Sequence, residues 1–303
     1  MKTVLIICTI TFLTAFADDV RSQGCGDAGV CTIHGMNPAE MPDSVKINKN
    51  RISTGLYFGM SQNAVVVLTP FVEYTRVVSE NISLTAKFNY GLRMGELANT
   101  HGPSDLLLSM SYNFLKYFTM TGGVKVPLSD ANKKIDGQPL PMNYQTSLGT
   151  TDIMLGFGYR IKRFSFTAGY QQPVTHNSNK FLASDYPVDS PDNKYYSTRN
   201  YDRAGDIMLR ASVRAVQAKK FIFNAGILPI YHLQNDTYQE PDGERVTING
   251  SQGLTLNLNA NLQYQFLPDQ LLELIIGAPV VSRKVRPDGL STFAIGVKYS
   301  ISL

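Results

Sequence analysis

Apolar and polar positions alternate with a period of two along most of the chain. The pattern is cleanest from Gly253 to Phe266. There Leu254, Leu256, Leu258, Ala260, Leu262, Tyr264 and Phe266 hold the even positions, and Thr255, Asn257, Asn259, Asn261, Gln263 and Gln265 the odd ones. Side chains alternate across a strand, so this stretch predicts a strand with one oily and one wet face; a helix would scatter both sets around its circumference. Strands of globular proteins run about five or six residues, whereas a tilted strand crossing a bilayer needs roughly nine to eleven. This one is of crossing length. The C-terminal segment repeats the pattern, with Phe293, Ile295, Val297, Tyr299, Ile301 and Leu303 set against Thr292, Ala294, Gly296, Lys298, Ser300 and Ser302. In lipid such strands must close on one another to satisfy their backbone groups. The expected fold is therefore all-β, a transmembrane antiparallel barrel that is apolar outside and wet inside.

Following the alternation through the chain predicts twelve strands, at 51–61, 64–76, 80–93, 104–116, 117–127, 151–162, 163–174, 204–217, 220–233, 252–266, 270–282 and 290–303. Single-chain barrels of bacterial outer membranes have even strand numbers. The connections after the second, fourth, sixth, eighth and tenth strands are tight. Most others are long and hydrophilic, at 95–103, 129–150, 176–203 and 235–251; the short one near Gln62 is the exception. Periplasmic turns are short and extracellular loops longer in such barrels, which places both termini in the periplasm.

The same register selects the lumen. Its expected lining includes Lys87, Arg93, Lys125, Arg160, Arg210, Arg214, Asn257, Asn259, Asn261 and Lys298, with Arg51 also inward and Glu73, Asp105, Asp152, Asp206 and Glu273 as the acids. Arg210 and Arg214 are expected to pair with acids such as Asp206 and Glu273, or else to form a basic ladder for anionic solutes. A weak repeat recurs where strands approach the outer rim: Gly123 to Pro127, Gly169 to Pro173, Gly226 to Pro229 and Gly277 to Pro279. Inward glycine permits a bend and proline cannot donate to the ladder, so kinks or bulges are expected there. They serve either wall curvature or a break that opens a sideways exit or shapes a pocket.

A mean hydropathy of -0.11 leaves no room for a bundle of membrane helices, but a barrel escapes that test because only alternate residues face lipid. Trp is absent, so the 16 Tyr and 15 Phe must supply the interfacial aromatic girdles. Lys2 followed by the apolar run 3–17 and the small-x-small Ala15-Phe16-Ala17 predicts a secretory signal peptide at 1–17. Residues 18–50 lack periodicity and form a periplasmic leader or lumen plug ahead of the barrel at 51–303. Cys25 and Cys31 are then the only cysteines of the mature chain, in an oxidising compartment that favours a disulfide. A metal or redox site with His34 and Asp27 is the alternative, and free thiols are a third.

The run from Ser147 to Tyr159, with Gly149, Asp152, Gly156 and Gly158, resembles the S-G-x-x-D and apolar-Gly-apolar-Gly-Tyr signature of outer-membrane transport barrels in the phenol-degradation (MetA-pathway) family. That family is similar to the fatty-acid and aromatic-hydrocarbon transport porins. The last strand, Gly296 to Ile301, resembles the C-terminal signal read by the barrel-assembly machinery, although the chain ends in Leu303 rather than Phe. The leader from Gly24 to Thr32 resembles N-termini of barrels from Bacteroidota. These resemblances imply a channel or transporter for small solutes, hydrophobic or aromatic ones among them. Its partners would be outer-membrane lipid, the assembly machinery and the solute.

Two other readings stay open. His176-Asn177-Ser178-Asn179 resembles the His-x-Ser-Asn motif of outer-membrane phospholipases and lipid A deacylases, where His176 would deprotonate Ser178 for attack on an ester. A non-conducting structural or adhesive barrel, working through its surface loops, is the third reading. His101 and His232 have no partner at ligand spacing and are expected as rim or lumen residues. The chain has no phosphate-binding glycine loop, no nucleic-acid motif and no basic run. No cofactor and no metal are expected.

Overall fold

The computed structural model describes residues 49–115 and 117–303. The expected signal peptide, almost all of the leader, and the pairing of Cys25 with Cys31 lie outside them. The elements in chain order are β1 (Asn50–Met60), β2 (Val66–Val77), β3 (Ile82–Met94), β4 (Asn99–Leu115), β5 (Phe118–Pro127), β6 (Lys134–Ile135), β7 (Gln138–Pro139), β8 (Asp152–Ile161) and β9 (Phe164–Pro173). They continue with β10 (Asp206–Gln217), β11 (Phe221–His232), β12 (Thr237–Gln239), β13 (Arg245–Thr247), β14 (Gly253–Leu267), β15 (Gln270–Val281) and β16 (Phe293–Ser302). Twelve of them form a closed antiparallel barrel in which each strand pairs with its chain neighbours and β1 closes on β16. The short pairs β6–β7 and β12–β13 are hairpins within the long loops.

Two-fold periodicity converts directly into two surfaces. Along β14 the odd positions Thr255, Asn257, Asn261, Gln263 and Gln265 are buried, whereas Leu254, Leu258 and Leu262 are exposed on the outside. Every strand adds similar residues to this outer face, among them Val72, Leu155, Leu209 and Val297. An apolar surface of this extent belongs in lipid, since soluble monomers rarely expose more than a few hundred Å² of it in one patch. Near the short turns two arcs of aromatic rings face outward. Phe118 lies 4.8 Å from Tyr159 and 5.6 Å from Phe114 and Phe157, and Phe221 stacks on Tyr264 at 4.6 Å. Phe and Tyr thus take the girdle role at this end.

The short turns, at 78–81, between β4 and β5, at 162–163, 218–220 and 268–269, share one end of the barrel with β1's start and β16's finish. The long loops share the other. One of the expected loops is mostly strand. The hydrophilic stretch 95–103 is not all loop: β4 begins at Asn99 and pairs up to Met94↔Asn99, leaving a turn at 95–98. The register slips between Phe88↔Leu106 and Tyr90↔Pro103, and this bulge turns both Ser104 and Asp105 inward.

The interior also departs from a wholly wet one. Toward the long-loop end Leu107, Met154, Met208, Leu228 and Ile230 point inward, and the loops fold back to bury Met142, Leu148, Tyr201, Ile248 and Leu290 against them. Above this, Val65, Leu140, Tyr144, Phe181 and Tyr195 make a second apolar cluster among the loops. The Tyr144 and Tyr195 hydroxyls are 3.1 Å apart, and the Tyr144 hydroxyl accepts from the Leu97 amide. The mouth is therefore roofed by packed loops rather than fringed by them.

Candidate functional site

Lys87, Arg93, Lys125, Arg160, Arg210, Arg214, Asn257, Asn259, Asn261 and Lys298 all occupy inward register positions. They are not one site but several separate layers. Near the short turns Lys298 Nζ lies 3.0 Å from Glu73 Oε1 and 3.7 Å from Glu273 Oε2, and Gln263 donates to Glu273 at 2.9 Å. Gly55 pairs with Lys298 on one side and Phe71 on the other, and a Cβ there would lie 2.6 Å from the Phe71 ring. Higher up, Lys87 Nζ sits 4.2 Å from the centroid of Phe71 and 5.1 Å from that of Tyr57, over two stacked rings.

The stretch with the transport-barrel signature builds the next layer. Lys125 Nζ is 2.7 Å from Asp152 Oδ2, an oxygen that also accepts from Gln171, while Thr150 donates to Asp152 Oδ1 at 2.6 Å. Ser147 donates to Asp105 at 2.6 Å. Ser147, Thr150 and Asp152 thus tie the 128–151 loop to the inner wall, with Gly149 between them at a φ of 68° that disfavours a side chain.

The densest site lies beneath the roof, where the loops bring three arginines and three aspartates to His232. His232 Nδ1 is 2.7 Å from Asp206 Oδ1, and its Nε2 is 2.7 Å from Asp236 Oδ1. Both ring nitrogens thus face carboxylate oxygens. Arg203 pairs with Asp206 and stands 3.8 Å from Asp288; Arg283 pairs with Asp288 and stands 3.8 Å from Asp236; Arg286 is 3.7 Å from Asp288. All of these side chains are buried. Burial disfavours the Asp288 carboxylate, but Arg283, Arg286 and Arg203 outweigh it and hold the group down at about 2. Burial works against the Arg203 and Arg283 charges too, and the aspartates outweigh it, raising both guanidinium groups. The Tyr201 phenol beside them is pushed well above its ordinary value by burial and then by Asp236 and Asp288. The lattice stitches the wall at β10 and β11 to the loops at 174–205, 233–252 and 282–292.

Sequence reading missed this lattice, placing His232 only as a rim or lumen residue with no partner at ligand spacing. The available signal was register: Asp206 and His232 face each other across the β10–β11 pair. Of the acids expected to pair with Arg210 and Arg214, Asp206 is held by Arg203 and His232, and Glu273 by Lys298 and Gln263.

The four Gly and Pro segments divide in two. Gly123, Gly169, Gly226 and Gly277 all occupy inward positions. Pro127 and Pro173 end their strands, whereas the ladder is broken at the other two prolines. The β10–β11 pairing skips from Met208↔Ile230 to Ala211↔Ile227 around Leu228 and Pro229, and β15 bulges between Val281 and Pro279. These two irregularities lie near the mouth, one at the β10–β11 seam and one at the β14–β15 seam, with β11 and β14 continuously paired between them.

The hydrolase motif lies on the 174–205 loop. His176 Nδ1 is 3.2 Å from Asp202, both exposed, while the Ser178 hydroxyl donates to the Asp130 carbonyl at 2.6 Å. The motif's asparagines carry the loop: Asn179 donates to Ala131 and Leu140 carbonyls and accepts from Phe181 and Thr198. His101 stacks on Tyr90, whose hydroxyl is 2.7 Å from Nδ1.

No protein-family model matches the sequence, and neither does any curated protein. Among solved structures, an outer-membrane channel from Pseudomonas putida F1 is similar with a TM-score of 0.56 at 10% identity, covering 87% of this chain and 99% of that one. A monoaromatic hydrocarbon channel matches at 0.45 and 9% identity over 95% and 99% of the two chains, and the Ralstonia pickettii toluene transporter at 0.46 and 9% over 94% and 99%. At such identities the likeness is one of fold, that of a closed outer-membrane barrel.

Proposed function

We propose that this chain is an outer-membrane channel for small solutes, with residues 1–17 as its signal peptide and both termini periplasmic. The observation that carries the reading is the two-faced wall, apolar outside and ion-paired inside, closed into one barrel. A roof of packed loops speaks for a selective route rather than a general pore. Hydrophobic or aromatic solutes are the favoured class, on the resemblance of residues 147–159 and on the inward apolar patch of Met154, Met208, Leu228 and Ile230 under the roof. The ladder breaks at Pro229 and Pro279 offer such solutes a sideways exit. Hydrophilic or anionic solutes are the second reading, favoured by the polar layers lower in the lumen.

The test is uptake into liposomes carrying the purified protein, comparing aromatic hydrocarbons with sugars and organic anions. Faster entry of the aromatics supports the first reading and of the anions the second; no entry of either leaves a structural or adhesive barrel. The leader 18–50 is proposed as a plug. Deleting it should raise conductance in planar bilayers, and unchanged conductance refutes that role.

A further inference from the structure

The outer wall carries a groove that the channel reading does not use. Register across β2, β3, β4 and β5 sets Ala86 between Tyr74 and Leu108, and sets Gly122 beside Met110 in the adjacent row. All of these positions face outward, and the two small residues leave a groove of about 570 Å³ with an almost wholly apolar lining. A Cβ built on Gly122 meets nothing within 4 Å.

One end of the groove is charged. Arg76 lines it, is exposed, and has no ion-pair partner among the described residues. It is the last but one residue of β2, at the short-turn end, whereas Gly122 stands four residues inside β5. From Arg76 to Gly122 the register line crosses three inter-strand steps, about 14 Å at roughly 4.8 Å each. The groove thus climbs from the membrane surface into the apolar band. A cation at the surface and an oily furrow leading inward complement an amphiphile with an anionic head and a hydrocarbon tail. A second copy of this chain would meet the furrow with its own apolar wall but would leave the arginine without a counter-charge.

We propose that this groove binds an anionic phospholipid of the leaflet at the short-turn side, its phosphate on Arg76 and one acyl chain along Ala86 and Gly122. The proposal rests on the membrane reading above but not on conduction. The protein purified from outer membranes in mild detergent would be titrated with phosphatidylglycerol and with phosphatidylethanolamine of the same chains, and bound lipid counted by native mass spectrometry. One phosphatidylglycerol per barrel should bind in preference. Gly122→Leu and, independently, Ala86→Leu should weaken both lipids at least tenfold by filling the furrow. Arg76→Gln should cost phosphatidylglycerol about fivefold, as expected for one basic contact near a membrane surface, and should erase the preference. Heat-modifiable gel migration verifies that each variant is folded. Wild-type binding in both filled variants, or no lipid preference in the wild type, overturns the proposal, as does a dimer that Gly122→Leu dissociates. Solute uptake by the same variants should be unchanged, so failure of the lipid site and failure of the channel reading give different results.

Discussion

Neutralising Asp288 tests whether the ionic lattice holds the roof down. Asp288 lies against Arg203, Arg283 and Arg286, and its carboxylate also accepts from the Leu290 amide at 3.2 Å. Asp288→Asn keeps the shape and removes the charge that three buried guanidinium groups face. Breaking a buried ion pair by losing one partner costs about 3–5 kcal/mol. The depressed pKa gives an independent figure: a fall from 3.8 to about 2 corresponds to roughly 2 kcal/mol of stabilisation. Across this range, the opening equilibrium of the 282–292 loop should rise roughly 30- to 4,000-fold. Trypsin reads it at Arg283, which is buried in the closed loop and becomes accessible when the loop opens. When reclosing is fast, cleavage tracks the population of the open form. Cleavage after Arg283 should therefore accelerate by that factor in detergent micelles at neutral pH. A rate within twofold of wild type would refute the latch. Acid should reproduce the effect: the Asp288 contribution is fully present above pH 3.8 and fades as pH falls towards 2. Amide exchange at 283–290, corrected for intrinsic rates, should lose protection over that window in the wild type and less in Asp288→Asn.

Other outcomes follow from the layers of the lumen and from the loops. Lys298→Met removes the cation that Glu73 and Glu273 share and should cost about 3–5 kcal/mol in urea unfolding; the double variant with Glu73→Gln should recover part, and no recovery would deny the coupling. Gly296→Ala puts a methyl 2.5 Å from the Tyr57 ring and should cost about 1–3 kcal/mol, whereas Gly122→Ala, with open space, should cost little; equal losses would sink the packing argument. Ser178→Ala removes one hydrogen bond to a carbonyl and should cost no more than about 1 kcal/mol. Esterase activity in the wild type that vanishes in this variant would restore the hydrolase reading.

The wall was legible in the sequence because its physics is local. Alternation from Leu254 to Phe266 depends only on which face each residue takes, and β14 runs from Gly253 to Leu267. Inward placement of Lys87, Lys125 and Asn257 followed from the same parity. What escaped is what depends on contacts across long separations. Asp206, His232, Asp236 and Asp288 belong to two strands and two loops, and no spacing in the chain marks them as neighbours. Hydrophilicity also misleads at 95–103, where β4 starts at Asn99 and a bulge beside Tyr90↔Pro103 accommodates the proline within the strand. The hairpins β6–β7 and β12–β13, of two and three residues per strand, are too short to leave a periodic trace.

The pairing of β1 with β16 has a bearing on how the molecule is made. Ser53 meets Ser300 at 2.8 Å, two hydroxyls 247 positions apart, and ten consecutive residue pairs from Arg51↔Ser302 to Met60↔Phe293 complete that seam. Contacts of such sequence separation form late, since the loop they close is entropically expensive. Until the final hairpin is in place, β1 offers a naked row of amides and carbonyls to any strand that passes, a standing invitation to aggregate. Birth of this protein is thus a race between closure and misassociation, and a chain cut short by one strand has no way to finish it.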